Sequence, residues 1–193
     1  MKLCLMGGTF DPPHWGHALL AEAIVDELHV EKFTFIPAYI PPHKQGNHIT
    51  DSRHRLRMLE LVVQENPVFD VDPREINREG VSYTIDTIRE IKQEYQLQSD
   101  EIGFLIGADN FLALYSWKNA DALVEECRIL VAERPEYPVQ NTIPLLDQVE
   151  FIPLPKIEIS SSMIRDRIQR NQSVQFYVLP VVYDYIQTHK LYR

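Results

Sequence analysis

The stretch at residues 3–17 reads LCLMGGTFDPPHWGH. Its first four residues are all apolar, which is typical of a strand that is buried on both faces. The strand ends at Gly7 and Gly8, and the segment that follows, with His14 and His17 near its start, has the apolar spacing of a helix. A buried strand followed by a glycine turn and a helix is the opening unit of a parallel α/β sheet.

The same alternation continues along the rest of the chain. Further short segments rich in apolar and β-branched residues predict strands at residues 33–36, 69–71, 102–106, 129–132 and 149–152. Helical spacing predicts helices at residues 15–28, 52–66, 84–95, 120–126, 160–170 and 178–188. Strands that alternate with helices predict one Rossmann-like α/β domain over residues 1–193. Its sheet is expected to be doubly wound and mainly parallel, with helices on both faces and C-terminal helices.

The second predicted helix begins after a polar loop. Asp51 or Ser52 supplies a side-chain oxygen that can cap its first turn. The apolar residues Leu56, Leu59 and Val63 have helical spacing and are expected to face the core.

The overall composition restricts the class of partner. The 193 residues are 45% hydrophobic, enough for a sizeable core, and the formal net charge is −9. This charge argues against nucleic-acid binding, which needs a basic surface. No apolar run approaches the roughly 18 residues of a membrane span. Cys4 and Cys127 lie in apolar runs without metal-binding spacing, so buried thiols in a reducing cytoplasm are expected rather than a disulfide.

Ligands of open α/β sheets bind beyond the carboxyl ends of the strands. Four stretches with glycine or polar residues follow predicted strands, at residues 7–9, 41–44, 107–109 and 133–134. The second of them belongs to a proline-rich loop at 37–50, and long loops in compact domains are often functional. These stretches therefore contain the candidate binding residues.

The glycine turn and the two histidines suit a phosphate group. Without Cβ atoms, Gly7 and Gly8 let the backbone approach a ligand closely, and the next helix N-terminus favours an anion. His14 and His17 are three residues apart on the first helical turn, so they share a face and can stabilise a transferring phosphoryl group. A capping histidine beside a surface histidine, or a zinc pair with no further ligand nearby in sequence, are the alternatives.

A serine-rich stretch at 160–162 is a second candidate phosphate site. Its hydroxyl and backbone N–H groups can cap the helix that follows and can also bind phosphate. Arg165 lies one turn further on, on the same side as Ser161 and Ser162, and its guanidinium suits a pair of phosphate oxygens. An ordinary capped helix with a solvated arginine is the alternative explanation.

Several motifs together resemble a known family. GGTFDPPHWGH, at residues 7–17, is similar to the His-x-x-His signature of the nucleotidyltransferase superfamily, and ISSSMIR, at 159–165, resembles its second motif. PPHK at 41–44 and GADNF at 107–111, with Trp117 shortly after, resemble the bacterial nicotinate mononucleotide adenylyltransferases. The similarity extends over nearly the whole chain in order and spacing.

The resemblance implies that ATP and nicotinate mononucleotide react to give nicotinate adenine dinucleotide and pyrophosphate. It implies catalytic roles for His14, His17 and Arg165. The residues implied to bind ATP are Gly7, Gly8, Thr9, Phe10, Gly107, Asp109, Arg134, Ser161 and Ser162. The residues implied to bind the mononucleotide are Lys44, Tyr83, Thr84 and Trp117. No protein metal ligand is assigned, because Mg²⁺ is expected to be held mainly by the substrate phosphates.

Some of these residues also have simpler explanations. Lys44 can be a solvated loop residue, Asp109 can cap a helix, and Arg134 can lie on the surface. Trp117 can be part of the core. The role of each residue therefore depends on where the fold places it.

Three other functions remain open at this stage. The chain can be another member of the superfamily, such as a pantetheine-phosphate adenylyltransferase or a cytidylyltransferase. It can prefer the nicotinamide over the nicotinate substrate, because the two differ only by an amide in place of a carboxylate. It can also be a non-catalytic nucleotide sensor on the same fold. A homo-oligomer is compatible with the sequence, which does not predict the oligomeric state.

Overall fold

The computed structural model describes residues 1–42, 49–64, 66–132, 145–154 and 157–193. Its strands are β1 Leu3–Gly8, β2 Lys32–Pro37, β3 Phe69–Val71, β4 Ile102–Gly107, β5 Arg128–Ala132 and β6 Val149–Ile152. They form one sheet in the order β3-β2-β1-β4-β5-β6, and every neighbouring pair is parallel. This is a doubly wound Rossmann-like sheet, so the predicted fold class is confirmed.

The helices within the described ranges cover both faces of the sheet. They are α1 Trp15–Leu28, α2 Ser52–Val63, α3 Arg74–Arg78, α4 Thr84–Tyr95, α5 Ala108–Ala113, α6 Ala120–Glu126, α7 Ser161–Gln169 and α8 Pro180–His189. The core on one face includes buried residues of α4, α5 and α6, and the core on the other includes residues of α1 and α2. A third cluster joins α7 and α8 to the outer sides of α1 and α2. No helix in these ranges is long and apolar enough to cross a membrane.

The continuous apolar run of β1 explains its central position. Successive side chains of a strand point to opposite faces, so Leu3 and Leu5 pack into one core while Cys4 and Met6 pack into the other. All four are buried. A strand buried on both faces has no polar side to alternate with, as expected for the middle of a parallel sheet.

The face that α2 turns to the core differs from the prediction. Asp51 caps the helix as predicted, because its carboxylate accepts a hydrogen bond of 2.9 Å from the backbone N–H of Arg53. Of the predicted core residues, Leu59 is buried, Val63 is half-buried but packs against the core, and Leu56 is half-buried. The other buried residues of the helix are Arg55, Met58 and Val62. One of the buried positions is an arginine. A prediction from hydrophobicity alone therefore chose Leu56 and Val63, each one residue after the buried Arg55 and Val62. The helix also ends three residues earlier than predicted, at Val63.

Two short helices, α3 and α5, were not predicted. They have five and six residues, and neither begins with a side-chain cap. Such short segments do not show the apolar periodicity on which a helix prediction depends.

The topology fixes where a ligand can bind. From β1 the chain turns to α1 on one face, and from the neighbouring β4 it turns to α5 on the other. The connections leave in opposite directions, which opens a crevice at the carboxyl ends of these two strands. The residues that follow β1 and β4 therefore line the expected binding site.

Candidate active site

The turn after β1, residues 9–13, is built around a buried aromatic ring. Phe10 has a left-handed backbone (φ 50°), its side chain is buried, and a cis peptide bond joins Asp11 to Pro12. A Cβ on Gly8 would lie 2.8 Å from Cζ of Phe10, so only glycine lets this ring fold back onto the strand. The side chain of Phe10 therefore packs inside the protein and supports the turn. Only the backbone of Phe10 is then available to a ligand.

His14 and His17 lie side by side at the start of α1. Their rings are stacked with centroids 3.8 Å apart, and the ring of Phe10 packs edge-on against His17 at 4.9 Å. Nδ1 of His17 accepts a hydrogen bond of 3.2 Å from the backbone N–H of His14. A neutral His17 therefore carries its proton on Nε2, which makes that atom a hydrogen-bond donor. Nδ1 of His14 is buried and has no hydrogen-bond partner within the described part of the chain.

The environment keeps both imidazoles uncharged. Burial lowers the pKa of His14 to about 4. Burial, and then the proximity of His14, lower the pKa of His17 well below its ordinary value. Both rings are therefore neutral at pH 7 in the absence of a ligand, and a nearby anion would favour their protonated forms.

The late serine-arginine stretch docks onto the turn after β1. Ser160 caps α7 by accepting a hydrogen bond of 3.2 Å from Met163 N–H, and Ser161 Oγ donates one of 2.8 Å to the carbonyl of Pro12. Nη1 of Arg165 donates a hydrogen bond of 2.8 Å to the carbonyl of Asp11. The two stretches selected from the sequence are thus in contact, although they are far apart along the chain.

The carboxylate of Asp11 holds this turn in place. It is buried, and its two oxygens accept hydrogen bonds from different elements: Oδ2 from Thr50 N–H at 3.2 Å, and Oδ1 from Tyr192 Oη at 2.9 Å. Burial, followed by the negative charge of Asp11, raises the pKa of Tyr192, which therefore remains a donor. Asp11 has a structural role in the motif.

The exit of β4 places polar groups on the other side of the crevice. Gly107 is the N-cap of α5, and Asp109 is exposed in the first turn of that helix. Asp109 is therefore not the capping residue that one interpretation of the sequence expected. A Cβ on Gly7 would lie 2.9 Å from Cζ of Phe104, so the ring of Phe104, in the middle of β4, lies directly against Gly7 near the end of β1.

Three of the residues expected to bind the mononucleotide, Tyr83, Thr84 and Trp117, lie within the described ranges. Trp117 packs edge-on against Phe104, with ring centroids 6.3 Å apart. Tyr83 is the N-cap of α4 and Thr84 its first residue. The ammonium of Lys118 lies 4.5 Å from the centre of the Tyr83 ring, which brings the Trp117 segment beside the start of α4. The structure thus brings Tyr83, Thr84 and Trp117 together.

Two predicted site residues cannot be placed. Lys44 and Arg134 lie outside the described residues. In the part of the chain that the structure does describe, no group of three or more histidine, cysteine, aspartate or glutamate residues could hold a metal ion, so the zinc alternative for His14 and His17 gains no further ligand.

Sequence reasoning missed several residues that build the site. Arg55, Tyr192 and Lys118 look like ordinary surface residues in the sequence, because their contacts are with distant segments. Asp11 lies within the GGTFDPPHWGH motif, but the motif does not indicate its structural role. The one sequence signal for Arg55 is that it completes the helical spacing of Met58, Leu59 and Val62.

Comparison with known proteins identifies close sequence relatives. The sequence pattern of the cytidylyltransferase-like family matches residues 5–167. A probable nicotinate-nucleotide adenylyltransferase of Geobacillus thermodenitrificans is 40% identical over 191 residues, which cover 99% of this chain and 86% of the relative. The nicotinate-nucleotide adenylyltransferase of Bacillus subtilis is 39% identical over 192 residues, which cover 100% of this chain and 98% of the relative.

A solved structure has the same fold. The nicotinic acid mononucleotide adenylyltransferase of Plasmodium falciparum, complexed with NaAD, superposes with a TM-score of 0.80. The two sequences are 20% identical, and the alignment covers 99% of this chain and 97% of the other. The agreement extends over the whole doubly wound architecture.

Proposed function

Since the chain belongs to the cytidylyltransferase-like family, and within it to the nicotinate-nucleotide adenylyltransferases, we propose that the groups around the turn after β1 carry out the reaction of these enzymes. The enzyme transfers the adenylyl group of ATP to nicotinate mononucleotide and releases pyrophosphate. The product, nicotinate adenine dinucleotide, is an intermediate of NAD biosynthesis.

One observation supports the assignment of roles above all. The stacked pair His14 and His17 and the guanidinium of Arg165 belong to elements that meet on one turn, through hydrogen bonds to the carbonyls of Asp11 and Pro12. A polyphosphate bound at this turn would meet imidazole N–H donors, a permanent cation and the N-terminus of α7.

The reaction needs positioning more than proton transfer. An oxygen of the mononucleotide's 5′-phosphate attacks the α-phosphorus of ATP, and the bond from that phosphorus to the bridging oxygen of pyrophosphate breaks. The attacking phosphate is already an anion at neutral pH, so no general base is required. Catalysis then consists of aligning the two phosphates and stabilising the charge that develops on the leaving pyrophosphate.

The neutral histidines suit the ATP side of this reaction. We assign His14 and His17 to the phosphates of ATP, whose negative charge opposes the effect of burial and favours protonation of the rings. Arg165, with Ser161 and Ser162 at the start of α7, is assigned to the departing pyrophosphate. Gly7 and Gly8 make room for the rings of Phe104 and Phe10, and we assign the backbone of the turn that follows them to the nucleotide.

The nicotinate side is assigned to the start of α4. The backbone N–H groups near Tyr83 and Thr84 lie at a helix N-terminus, which favours the carboxylate of nicotinate. Trp117 is assigned to the pyridine ring, on which an indole can stack. The roles of Lys44 over the phosphates and of Arg134 on the ATP side stay predictions from the sequence.

Magnesium is assigned to the substrate rather than to a protein cage. Both oxygens of Asp11 already accept protein hydrogen bonds, and Asp109 is the exposed carboxylate at the exit of β4. We therefore assign the Mg²⁺ ion to the phosphates of ATP, where it would neutralise part of their charge.

We also propose that the enzyme works in the cytoplasm, where ATP and mononucleotides are available.

Pyrophosphate release tests the substrate assignment. The protein is incubated with ATP and Mg²⁺, and nicotinate mononucleotide, nicotinamide mononucleotide and phosphopantetheine are compared as acceptors. We expect release with the nicotinate substrate and much slower release with the other two. Preference for another acceptor would move the protein to another branch of the superfamily, and ATP binding without release from any acceptor would indicate a nucleotide sensor.

The role of the histidine pair is tested by His17→Ala. Removing one positioned donor to a developing charge typically lowers kcat by about 100-fold or more. His189→Ala, which removes an exposed histidine on α8, is the matched control and should retain wild-type turnover. Wild-type kcat in His17→Ala would remove this residue from the mechanism.

A further inference from the structure

Arg55 makes an unusual set of contacts for a residue in the first turn of a helix. Its side chain is 1% exposed, and within the described ranges its guanidinium donates hydrogen bonds only to backbone carbonyls. Nε donates to Thr50 at 2.9 Å, Nη1 to Thr9 at 2.8 Å and to Ala38 at 2.7 Å, and Nη2 to Tyr39 at 3.1 Å. One side chain thereby joins three separate segments.

The geometry of these contacts requires a guanidinium. Four acceptors lie around one planar group, which matches the fork of fixed donors that arginine offers and lysine does not. Burial lowers the pKa of Arg55, while the carboxylates of Asp11 and Asp51 and the phenol of Tyr192 oppose this effect. Burying a charge away from water is unfavourable, so a hydrophobic residue would be the simpler occupant of this core position.

The segments that Arg55 joins are those that surround the site. Thr9 immediately follows β1 and belongs to the turn that carries the histidines, while Ala38 and Tyr39 follow β2. Thr50, the fourth acceptor, also donates its backbone N–H to Asp11 in that turn. The exits of two neighbouring strands already share a direct hydrogen bond of 2.9 Å from Ala38 N–H to the Gly8 carbonyl, and they are joined a second time through one residue that itself belongs to α2.

The contacts continue from the exit of β2 to the start of α4. The backbone N–H of Tyr39 donates to Ser82 Oγ at 3.0 Å, and the N–H of Ser82 donates to the carbonyl of Ile40 at 3.0 Å. Ser82 is buried and immediately precedes Tyr83, the N-cap of α4. The peptide of Tyr39 thus links Arg55 on one side with the proposed nicotinate pocket on the other.

We propose that Arg55 is a positioning residue for the adenylyl transfer: it sets the ATP-phosphate turn after β1 against the exit of β2, and Ser82 extends this arrangement to the start of α4. The inference rests on the proposed function, because it assigns the two substrates to these segments. Arg55 contacts neither substrate and acts through the carbonyls of Thr9, Ala38 and Tyr39.

The first test replaces Arg55 by lysine. Arg55→Lys keeps the charge but loses the fork of donors, so the two strand exits are expected to shift relative to each other. Because small misplacements of reacting groups have large effects, we expect kcat at saturating substrates to fall at least about tenfold. The matched control is Arg57→Lys on the same helix, whose guanidinium is exposed and paired with Glu60 at 2.8 Å; it should keep the wild-type kcat.

The second test separates the two substrates. Ser82→Ala removes the acceptor of the Tyr39 N–H while leaving the ATP side untouched. We expect the KM for nicotinate mononucleotide to rise several-fold and the KM for ATP to stay within experimental error. A purely structural role would lower the melting temperature without this selective change in KM.

These measurements give decisive outcomes. Each variant is assayed well below its melting temperature, with circular dichroism to establish that it is folded. A folded Arg55→Lys with wild-type kcat overturns the proposal, and if that variant does not fold, a Ser82→Ala with both KM values unchanged overturns it. If the wild type itself releases no pyrophosphate with nicotinate mononucleotide, the proposed function has failed. The positioning role is then judged from ATP affinity by calorimetry, which Arg55→Lys should weaken and Arg57→Lys should not.

Discussion

The hydroxyl of Tyr192 donates a hydrogen bond of 2.9 Å to Oδ1 of Asp11, and so fastens the segment after α8 to the turn after β1. This contact shows that the turn after β1 is supported from a distant part of the chain. Its effect can be measured apart from catalysis, because neither residue is assigned to a substrate.

Tyr192→Phe is expected to destabilise the protein. It removes the donor and leaves a buried carboxylate oxygen without this partner, which typically costs about 1–3 kcal/mol of the free energy of unfolding. Chemical denaturation of wild type and variant measures the difference. Tyr115→Phe, at an exposed tyrosine, is the control and should change stability by less than about 0.5 kcal/mol. Equal stability of Tyr192→Phe and wild type would mean that Asp11 does not depend on this bond.

The buried His14 predicts a loss of stability in weak acid. Its pKa is about 4 in the folded protein, against about 6.5 in an unfolded chain, so the unfolded state binds protons first as the pH falls. The stability that the neutral ring contributes is complete above about pH 6.5 and decreases until about pH 4. Between pH 6.5 and pH 5 this single group should lower the free energy of unfolding by about 1.5 kcal/mol.

Variants separate this effect from other titrations. Denaturation at the two pH values should give a smaller difference for His14→Gln than for wild type, because glutamine does not titrate. His29→Gln, at an exposed histidine, should keep the full difference. If the pH dependence of His14→Gln equalled that of wild type, His14 would not be buried in its neutral form.

Arg165→Lys is expected to lower turnover while leaving the fold intact. Lysine keeps the positive charge but cannot donate to Asp11 and to a phosphate through one rigid planar group. We expect kcat to fall by roughly 10- to 100-fold, and inhibition by added pyrophosphate to weaken, since both depend on the same site. Arg167→Lys on the same helix, where the guanidinium donates to Ser173, should have wild-type kinetics. Unchanged product inhibition in Arg165→Lys would separate this residue from the leaving group.

Gly16→Ala should damage the site without weakening the helix. A Cβ at this position would lie 2.9 Å from Nδ1 and 3.0 Å from Cε1 of His14, so the imidazole has to move. Alanine is otherwise favoured over glycine in a helix by about 1 kcal/mol. We expect a melting temperature at or above that of wild type together with a kcat at least about tenfold lower. Leu19→Ala, at an exposed position of α1, is the kinetic control; a fully active Gly16→Ala would show that the position of the His14 ring is not critical.

The sequence predicted those elements whose characteristic residues lie within a few positions of one another. The strands β1 and β4 were predicted because their continuous apolar runs end at glycine. The two candidate phosphate sites were predicted because glycine and histidine, or several serines and an arginine, lie close together in the sequence. The prediction of which residues of α2 are buried was only partly correct, because Arg55 stands where a hydrophobic residue is expected. The support of Asp11 by Tyr192 could not be found in this way, since nothing in either local sequence indicates its partner.

The proposed ATP side of the crevice is made from segments that are far apart in the chain. The bonds from Ser161 to Pro12, from Arg165 to Asp11 and from Tyr192 to Asp11 span 149, 154 and 181 positions. Closing such long loops costs conformational entropy, and contacts of high sequence separation slow folding. On a ribosome, β1 and the histidines at the start of α1 are made before α7, so they have no Arg165 beside them until α7 has been made. The proposed nucleotide site is therefore incomplete until then, and we expect binding competence only after α7 has been synthesised.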